Sequence, residues 1–481
     1  MLLASSRRWL RCNRLPLAFF AALTALYSTL AIRRHLTFHT AGWDLGIFEQ
    51  AIRNYAALRP PIAILKGPDY NLLGDHFHPI LMLVAPIYAA IPSPVTLLVV
   101  QAVLFALAVV PLMGWAGRAL GQPASIAVGL VYGLSFGIAS ALGFDFHEIA
   151  FAVPMIAFSL SALGQGRLRA AAAWALPLIL VKEDLGLTVV AVVGILIARR
   201  GARRLGILTA VVGAVATVVE IAVILPSFNT SGGYGYWSKV SAHPILTVLF
   251  TSSGEKLTTL FVTLGVAGFA CLLSPIALAA VPTLLWRFAS DDKNYWGTGY
   301  HYSAVLMPIM VAALIDGLCR LHRRRCGLLA MRGSSSAQRQ QTTATRGLSW
   351  AARACMTLAL LVTAALIPDH ALAQLASPEL WTVTARDAAI TRALALIPDN
   401  VRVAATDDIV PHLTSRDSVT LFGLRPLVAT RPEWILVDAH SPRHFLISDS
   451  RQLEDLLEAE KQGYGVVMQS HGVTLLKRPA P

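Results

Sequence analysis

Long apolar runs separated by short polar connections dominate the first three quarters of the chain. A helix needs about 20 apolar residues to cross a bilayer, fewer where neighbours shelter it. Runs that reach or approach this length occupy 15–33, 94–116, 122–143, 149–165, 168–181, 185–199, 204–226, 257–273, 274–290, 303–320 and 349–368. The pair 168–181 and 185–199 is short and could partly be a single broken helix. The stretch 79–91 (PILMLVAPIYAAI) is too short to span and holds two prolines. A crossing there would invert every later loop, so it reads as a membrane-embedded piece of the first outer loop. Arg7, Arg8, Arg11 and Arg14 precede the first run, and Arg33 and Arg34 follow it directly. With no small-x-small cleavage pattern between them, a retained anchor is favoured over a signal peptide.

After residue 369 the pattern changes. Short β-rich stretches at 401–406, 418–423, 434–439 and 472–477 alternate with helical patterns such as 452–463, which predicts a small α/β domain. The expected fold is therefore mainly α: a polytopic transmembrane bundle of about eleven helices, with a small extracytoplasmic α/β domain at the C-terminus. Residues 1–320 form the membrane domain with a long first outer loop at 34–93. A basic cytoplasmic linker follows at 321–348, then the last transmembrane helix at 349–368 and the α/β domain at 369–481.

Composition excludes the simpler classes. Of the 481 residues 55% are hydrophobic and 14% charged, against roughly a quarter charged in soluble domains. So apolar a chain would collapse if it were disordered. The net charge of +13 is uneven: residues 369–481 hold 14 of 27 acidic and 11 of 40 basic residues, leaving 29 basic against 13 acidic before them. The arginines cluster between apolar runs, as in cytoplasmic membrane loops, so no nucleic-acid partner is expected. The N-terminus, Arg118, 167–169, 199–204 and 320–346 should face the cytoplasm, which places the C-terminal domain outside. The five cysteines show no CxxC pair, and neither a disulfide framework nor a zinc site is written.

Carboxylates influence orientation little, so their distribution is a separate signal. Eleven of the 13 before residue 369 fall on the expected outer face: Asp44, Glu49, Asp69, Asp75, Asp145, Glu148, Glu183, Asp184, Glu255, Asp291 and Asp292. Glu220, inside a helix, and Asp316, near an inner end, are the exceptions. This concentration predicts a site on one face.

Five motifs carry candidate chemistry. Asp44 in WDLGIFEQ, with Glu49 following it, is a candidate general base for a hydroxyl acceptor, although an Asp there could simply cap a helix. Asp75, His76 and His78 (GDHFHP) and Asp145, His147 and Glu148 (DFHE) form two acid–histidine clusters whose donors suit a divalent ion such as Mg, Mn or Zn; the competing reading is a hydrogen-bonded lining of a wet cavity. Lys182 and Glu183, with Asp184, put three charges at the membrane border, costly unless they face water, one another or a ligand. Lys182 could hold a phosphate or be neutralised by Glu183. The loop 291–302 (DDKNYWGTGYHY) interleaves aromatics, glycine and charge, which suits a sugar, or an interfacial aromatic belt. Tyr300, His301 and Tyr302 are its candidate substrate contacts, and Arg287, one turn earlier, is a candidate phosphate ligand.

WDLGIFEQ, GDHFHPI, DFHEIA, VKEDLGL and GYHYSAVLMP, in this order, resemble a family of bacterial membrane proteins known only as a domain of unknown function. That family is similar in layout to the GT-C glycosyltransferases, which transfer a sugar from a polyprenyl-phosphate carrier on the outer face. The resemblance implies Asp44 as the first-loop acid, and Asp145 with Glu148 as the second acidic motif. It also implies residence in the bacterial inner (plasma) membrane, a polyprenyl-phosphate-linked sugar donor, and a glycan, lipid or protein acceptor. His147 departs from the acidic pair of the oligosaccharyltransferases. The expected function is a membrane glycosyltransferase; a transporter or flippase, and a non-catalytic sensor or scaffold, are the alternatives.

Overall fold

The computed structural model describes residues 14–230, 232–236, 247–248, 251–331, 348–441 and 447–479. Arg7, Arg8, Arg11, Lys239 and most of the expected linker lie outside these residues. The chain is mainly helical, with one five-stranded sheet near its C-terminus.

Among the described residues, six helices are long and apolar enough to cross a membrane: Arg14–Leu36, Pro94–Leu120, Gln122–Gly143, Arg203–Phe228, His301–Arg323 and Trp350–Asp369. The shorter apolar helices Ile149–Gly164, Leu168–Leu180, Gly186–Arg199 and Pro275–Ala289 fall on four further runs. Two bonds settle the 168–199 pair. At one end Lys182 Nζ donates to Glu148 Oε1 at 3.1 Å; at the other Arg200 donates to the Leu163 carbonyl. The pair is therefore a hairpin of two antiparallel segments turning at 181–185, rather than a single broken helix. Its second arm packs on Arg203–Val219 through glycine: a Cβ on Gly194 or Gly206 would run into the facing backbone. Small residues permit such approach where lipid supplies no hydrophobic drive.

The expected 257–273 run is interrupted. Its helix covers Ser253–Val266, and Gly268 and Phe269 then take φ of 51° and 56°. A Cβ at Gly268 would collide with the Cys355 carbonyl, so the Trp350–Leu366 helix packs directly on this break. The 79–91 stretch folds as two short helical turns, Pro79–Leu83 and Ala85–Ala90. It buries Tyr88 and exposes Met82, Leu83, Ile87 and Ile91, an apolar face suited to a bilayer.

Cross-links show which ends of the helices lie together. Gln101 donates to the Asp145 carbonyl, Ser140 to the Thr298 carbonyl at 2.7 Å, and Asn229 to the Gly74 carbonyl at 3.2 Å. With the Lys182–Glu148 pair, these gather the first loop, 144–148, 181–185 and 290–302 at one end of the bundle. Trp115, Gly164, Arg200 and Arg320 meet at the other end.

The C-terminal sheet comprises β1 (Arg402–Ala405), β2 (Ser418–Leu421), β3 (Trp434–Asp438), β4 (Gly465–Ser470) and β5 (Val473–Lys477), in the order β2-β1-β3-β5-β4. β1 pairs parallel with both β2 and β3, while β5 runs antiparallel to β3 and β4. Alternation sorts its side chains (period two). Ala404, Ile435, Val437 and Leu476 form a small core with Ala459 and Tyr464. Val403, Ala405, Leu436 and Leu475 face the other way and join the apolar core of the bundle and first loop. The domain is thereby fixed to the end of the bundle that carries the acidic motifs.

Candidate active site

The first loop leaves the Arg14–Leu36 helix and enters a wide π-helical turn, Gly42–Gly46, that carries Asp44. Two anchors hold this turn. On the bundle side, Asp145 accepts from the Ala41 amide at 2.7 Å. On the domain side, Asp407, just past β1, accepts from the Gly42 amide through its carbonyl (2.7 Å) and from the Trp43 amide through Oδ1 (2.8 Å). A cavity of about 1120 Å³ opens beside the turn. Its walls come from the first loop, 144–148, 181–188, 217–221, 234–236, 282–302 and Asp407.

Asp44 is partly open to the cavity, with 22% of its side chain exposed, and its Oδ1 lies 3.4 Å from His147 Nε2. The His147 ring stacks on His301 at 3.7 Å between centroids. His78, His147 and His301 each keep a buried Nδ1 without a hydrogen bond among the described residues. Behind them, His76 Nδ1 bonds Glu183 Oε1 at 2.7 Å, and Tyr234 donates to the same oxygen at 3.0 Å. Lys66 pairs with Asp75 and lies 5.9 Å from the centre of the Trp43 ring.

The charges in this wall fix one another's state. Burial opposes ionisation of Glu148 and Asp75, yet Lys182 and the histidines hold Glu148 well below the usual carboxylate range, and Lys66 with His76 pulls Asp75 down to about 2. Burial works against the Lys182 ammonium, but Glu148, Glu183 and Asp184 raise its pKa overall. Asp184 is pushed up to about 6 by burial, which outweighs Lys182. Burial takes His78 down to about 4, so its imidazole is neutral. A carboxyl raised toward neutral pH near one held well below it, both facing a cavity, is a pattern met where proton transfers are managed.

Residues 34–475 match the family described as "Predicted membrane protein (DUF2079)". The chain belongs to that family. Its fold is similar to that of ArnT from Cupriavidus metallidurans. The ArnT crystal structure with bound undecaprenyl phosphate superposes with a TM-score of 0.54 at 13% identity, covering 96% of this chain and 98% of that one. The apo crystal structure of the same protein gives 0.51 at 14% identity, covering 98% of each chain. No curated protein matches this chain.

Of the residues singled out in the sequence, Asp44, Asp75, His76, His78, His147, Glu148, Lys182, Glu183, Tyr300, His301 and Tyr302 line the cavity. Three do not. Glu49 is wholly buried, bonded by Tyr88 at 2.8 Å and by Thr414 of the C-terminal domain, so it secures an interface instead of facing substrate. Arg287, also wholly buried, donates to the Tyr295 carbonyl (2.8 Å), the Gly297 carbonyl (2.9 Å) and Ser303 Oγ (3.2 Å). It shapes the aromatic loop and is not placed to hold a phosphate in the cavity. Asp145 takes the left-handed backbone at φ 59°, an arrangement Asp tolerates, and anchors the first loop.

The expected metal set does not assemble. Among the described residues no three His, Cys, Asp or Glu side chains group as metal ligands. Lys66 takes up Asp75, Lys182 takes up Glu148, Glu183 takes up His76, and the Ala41 amide takes up Asp145. These donors do not fit an ion as they stand.

Lys66, Asp184, Tyr234, Tyr236, Trp286, Asn294 and Asp407 line the cavity without having been singled out as site residues. For Tyr234 and Tyr236 a signal existed: GGYGYW repeats the interleaving of glycine and aromatics seen in 295–302. Asp407 had none, because its role depends on how the C-terminal domain docks.

Proposed function

We propose that this chain is an integral membrane glycosyltransferase that moves a sugar from a polyprenyl-phosphate carrier to an acceptor hydroxyl at the outer face of the bacterial inner membrane. The observation that carries this reading is Asp44: a partly open carboxylate beside His147 on the wall of a cavity large enough for a sugar phosphate. Ligand pockets commonly span about 300–1,000 Å³. The likeness to a fold crystallised with undecaprenyl phosphate supports the donor class.

In this reaction the acceptor oxygen attacks the anomeric carbon and the carbon–oxygen bond to the phosphate breaks. Asp44 takes the hydroxyl proton, and the polyprenyl phosphate leaves with the electron pair. Lys182, His76 and His301 are the groups that would meet the departing phosphate, whose developing charge needs fixed donors. Tyr300 and Tyr302 offer ring faces to the sugar.

Membranes carrying the full chain, offered a panel of radiolabelled polyprenyl-phosphate monosaccharides, provide the test. Asp44→Asn keeps the shape and abolishes the base, so transfer should drop about 10²–10⁴-fold while undecaprenyl phosphate still raises the melting temperature of the purified protein. Undiminished transfer at equal expression would remove Asp44 from the chemistry.

A further inference from the structure

A second cavity, of about 480 Å³, lies at the arginine end of the bundle. Trp115 and Arg200 contribute to its wall, with Asp316, Cys319, Arg320 and Arg323 from the His301–Arg323 helix. Three guanidinium groups thus face one carboxylate. Asp316 is already engaged by Arg320 Nε at 2.8 Å and Ser274 Oγ at 2.8 Å. Arg200 gives one N–H to the Leu163 carbonyl and keeps its remaining donors. Arg323 is exposed and has no hydrogen-bond partner among the described residues. Burial, together with repulsion from Arg320 and Arg323, draws the Arg200 guanidinium below its ordinary pKa despite Asp316. Arginines at a membrane boundary gain most by reaching into water, and convergence over a hollow leaves their charge unanswered.

We propose that this cavity binds a phosphate-bearing anion, either the headgroup of an anionic phospholipid or a free phosphate group, with Arg200 and Arg323 as its main ligands. The planar fork of arginine matches phosphate oxygens in pairs. Basic pockets between membrane helices on the cytoplasmic side take anionic headgroups, and Trp115 supplies the kind of aromatic wall found at headgroup level. The volume lies within the range of ligand pockets. The site is separate from the cavity of Asp44: the Ile149–Gly164 helix starts beside Glu148 and ends at this pocket, about 24 Å away at 1.5 Å per residue.

Cys319 in the pocket wall is a built-in reporter, and Cys355, outside it, an internal reference. N-ethylmaleimide labelling of the full chain in a nonionic detergent would be followed with phosphatidylglycerol, phosphatidylcholine or inorganic phosphate added. Slowing of Cys319 alone by phosphatidylglycerol, and not by phosphatidylcholine, assigns a lipid headgroup; slowing by inorganic phosphate assigns a free phosphate. Arg323→Gln should raise the concentration needed about tenfold, or about 1.4 kcal/mol. Arg200→Gln should do the same, and Arg169→Gln, exposed at the same end but outside the pocket, should not. Should Cys319 resist labelling, native mass spectrometry of phosphatidylglycerol retained per chain reads the same ranking. No protection and no retained lipid, or an equal loss in Arg169→Gln, overturns the proposal.

Discussion

The two walls of the main cavity are held in different ways. The bundle wall is set by an ionised pair, Lys182 with Glu148. The first-loop wall is set by hydrogen bonds to the C-terminal domain: backbone amides on Asp407, and Glu49 between Tyr88 and Thr414. Burial pushes Glu49 up to about 7, although both hydroxyls and Arg53 pull the other way. Around neutral pH the bundle wall therefore keeps fixed charges while the loop wall contains a carboxyl that titrates. The bundle wall resists pH and breaks expensively; the loop wall is cheaper to disturb, and Asp44 rides on it.

The sharpest break of this contrast is Lys182→Met. It leaves Glu148, with 2% of its side chain exposed, as an uncompensated buried charge, an effect of about 3–5 kcal/mol. The variant should melt at much lower temperature in detergent, and Glu148→Gln added to it should recover most of the loss. If the double variant were no better than the single, the pair would not be the source of rigidity in that wall.

The bundle wall was largely legible in the sequence. Charges beside apolar runs must find partners, so Lys182, Glu183, Glu148 and the histidines had to face a common space. The β-strands were legible for a related reason: β1, β3 and β5 are buried enough to write continuous apolar runs. β4, exposed along most of its length, left no such trace. The loop wall was not legible. Asp44 and Glu49 look alike in a row of residues, and only the docked domain separates them, by covering Glu49 with Thr414 and leaving Asp44 open. Arg287 misled for the same reason, since a guanidinium aimed at carbonyls of its own loop has the same sequence as one aimed at a ligand.

A middle-sized effect is expected from Asp407→Ala. The bond from the Trp43 amide to an ionised carboxylate is worth about 1.5–3 kcal/mol, and its loss should loosen the Gly42–Gly46 turn without unfolding the sheet. Hydrogen–deuterium exchange of the Trp43 amide should quicken about tenfold or more, with strand amides unchanged. Transfer, where assayed, should fall with it, because a displaced base loses alignment. Unchanged exchange at Trp43 would mean the domain does not position the turn.

The smallest effect is a slope. For Glu49, the folded pKa of about 7 stands above the ordinary glutamate value of 4.5, so the folded state holds a proton that the unfolded state releases across that interval. The stabilisation is complete below about 4.5 and is lost as pH rises through about 7. Asp408, pushed up to about 7 by burial and by Asp438, acts in the same direction and supplies a background that Glu49→Gln leaves in place. Glutamine keeps an oxygen acceptor for Thr414 or Tyr88 and cannot ionise. Its melting temperature should therefore fall less steeply than that of the wild type between about pH 4.5 and 7, and the two should differ most at the upper end. Parallel curves would place the titration elsewhere. A steeper fall in the glutamine variant would reverse the sign and end the contrast between the walls.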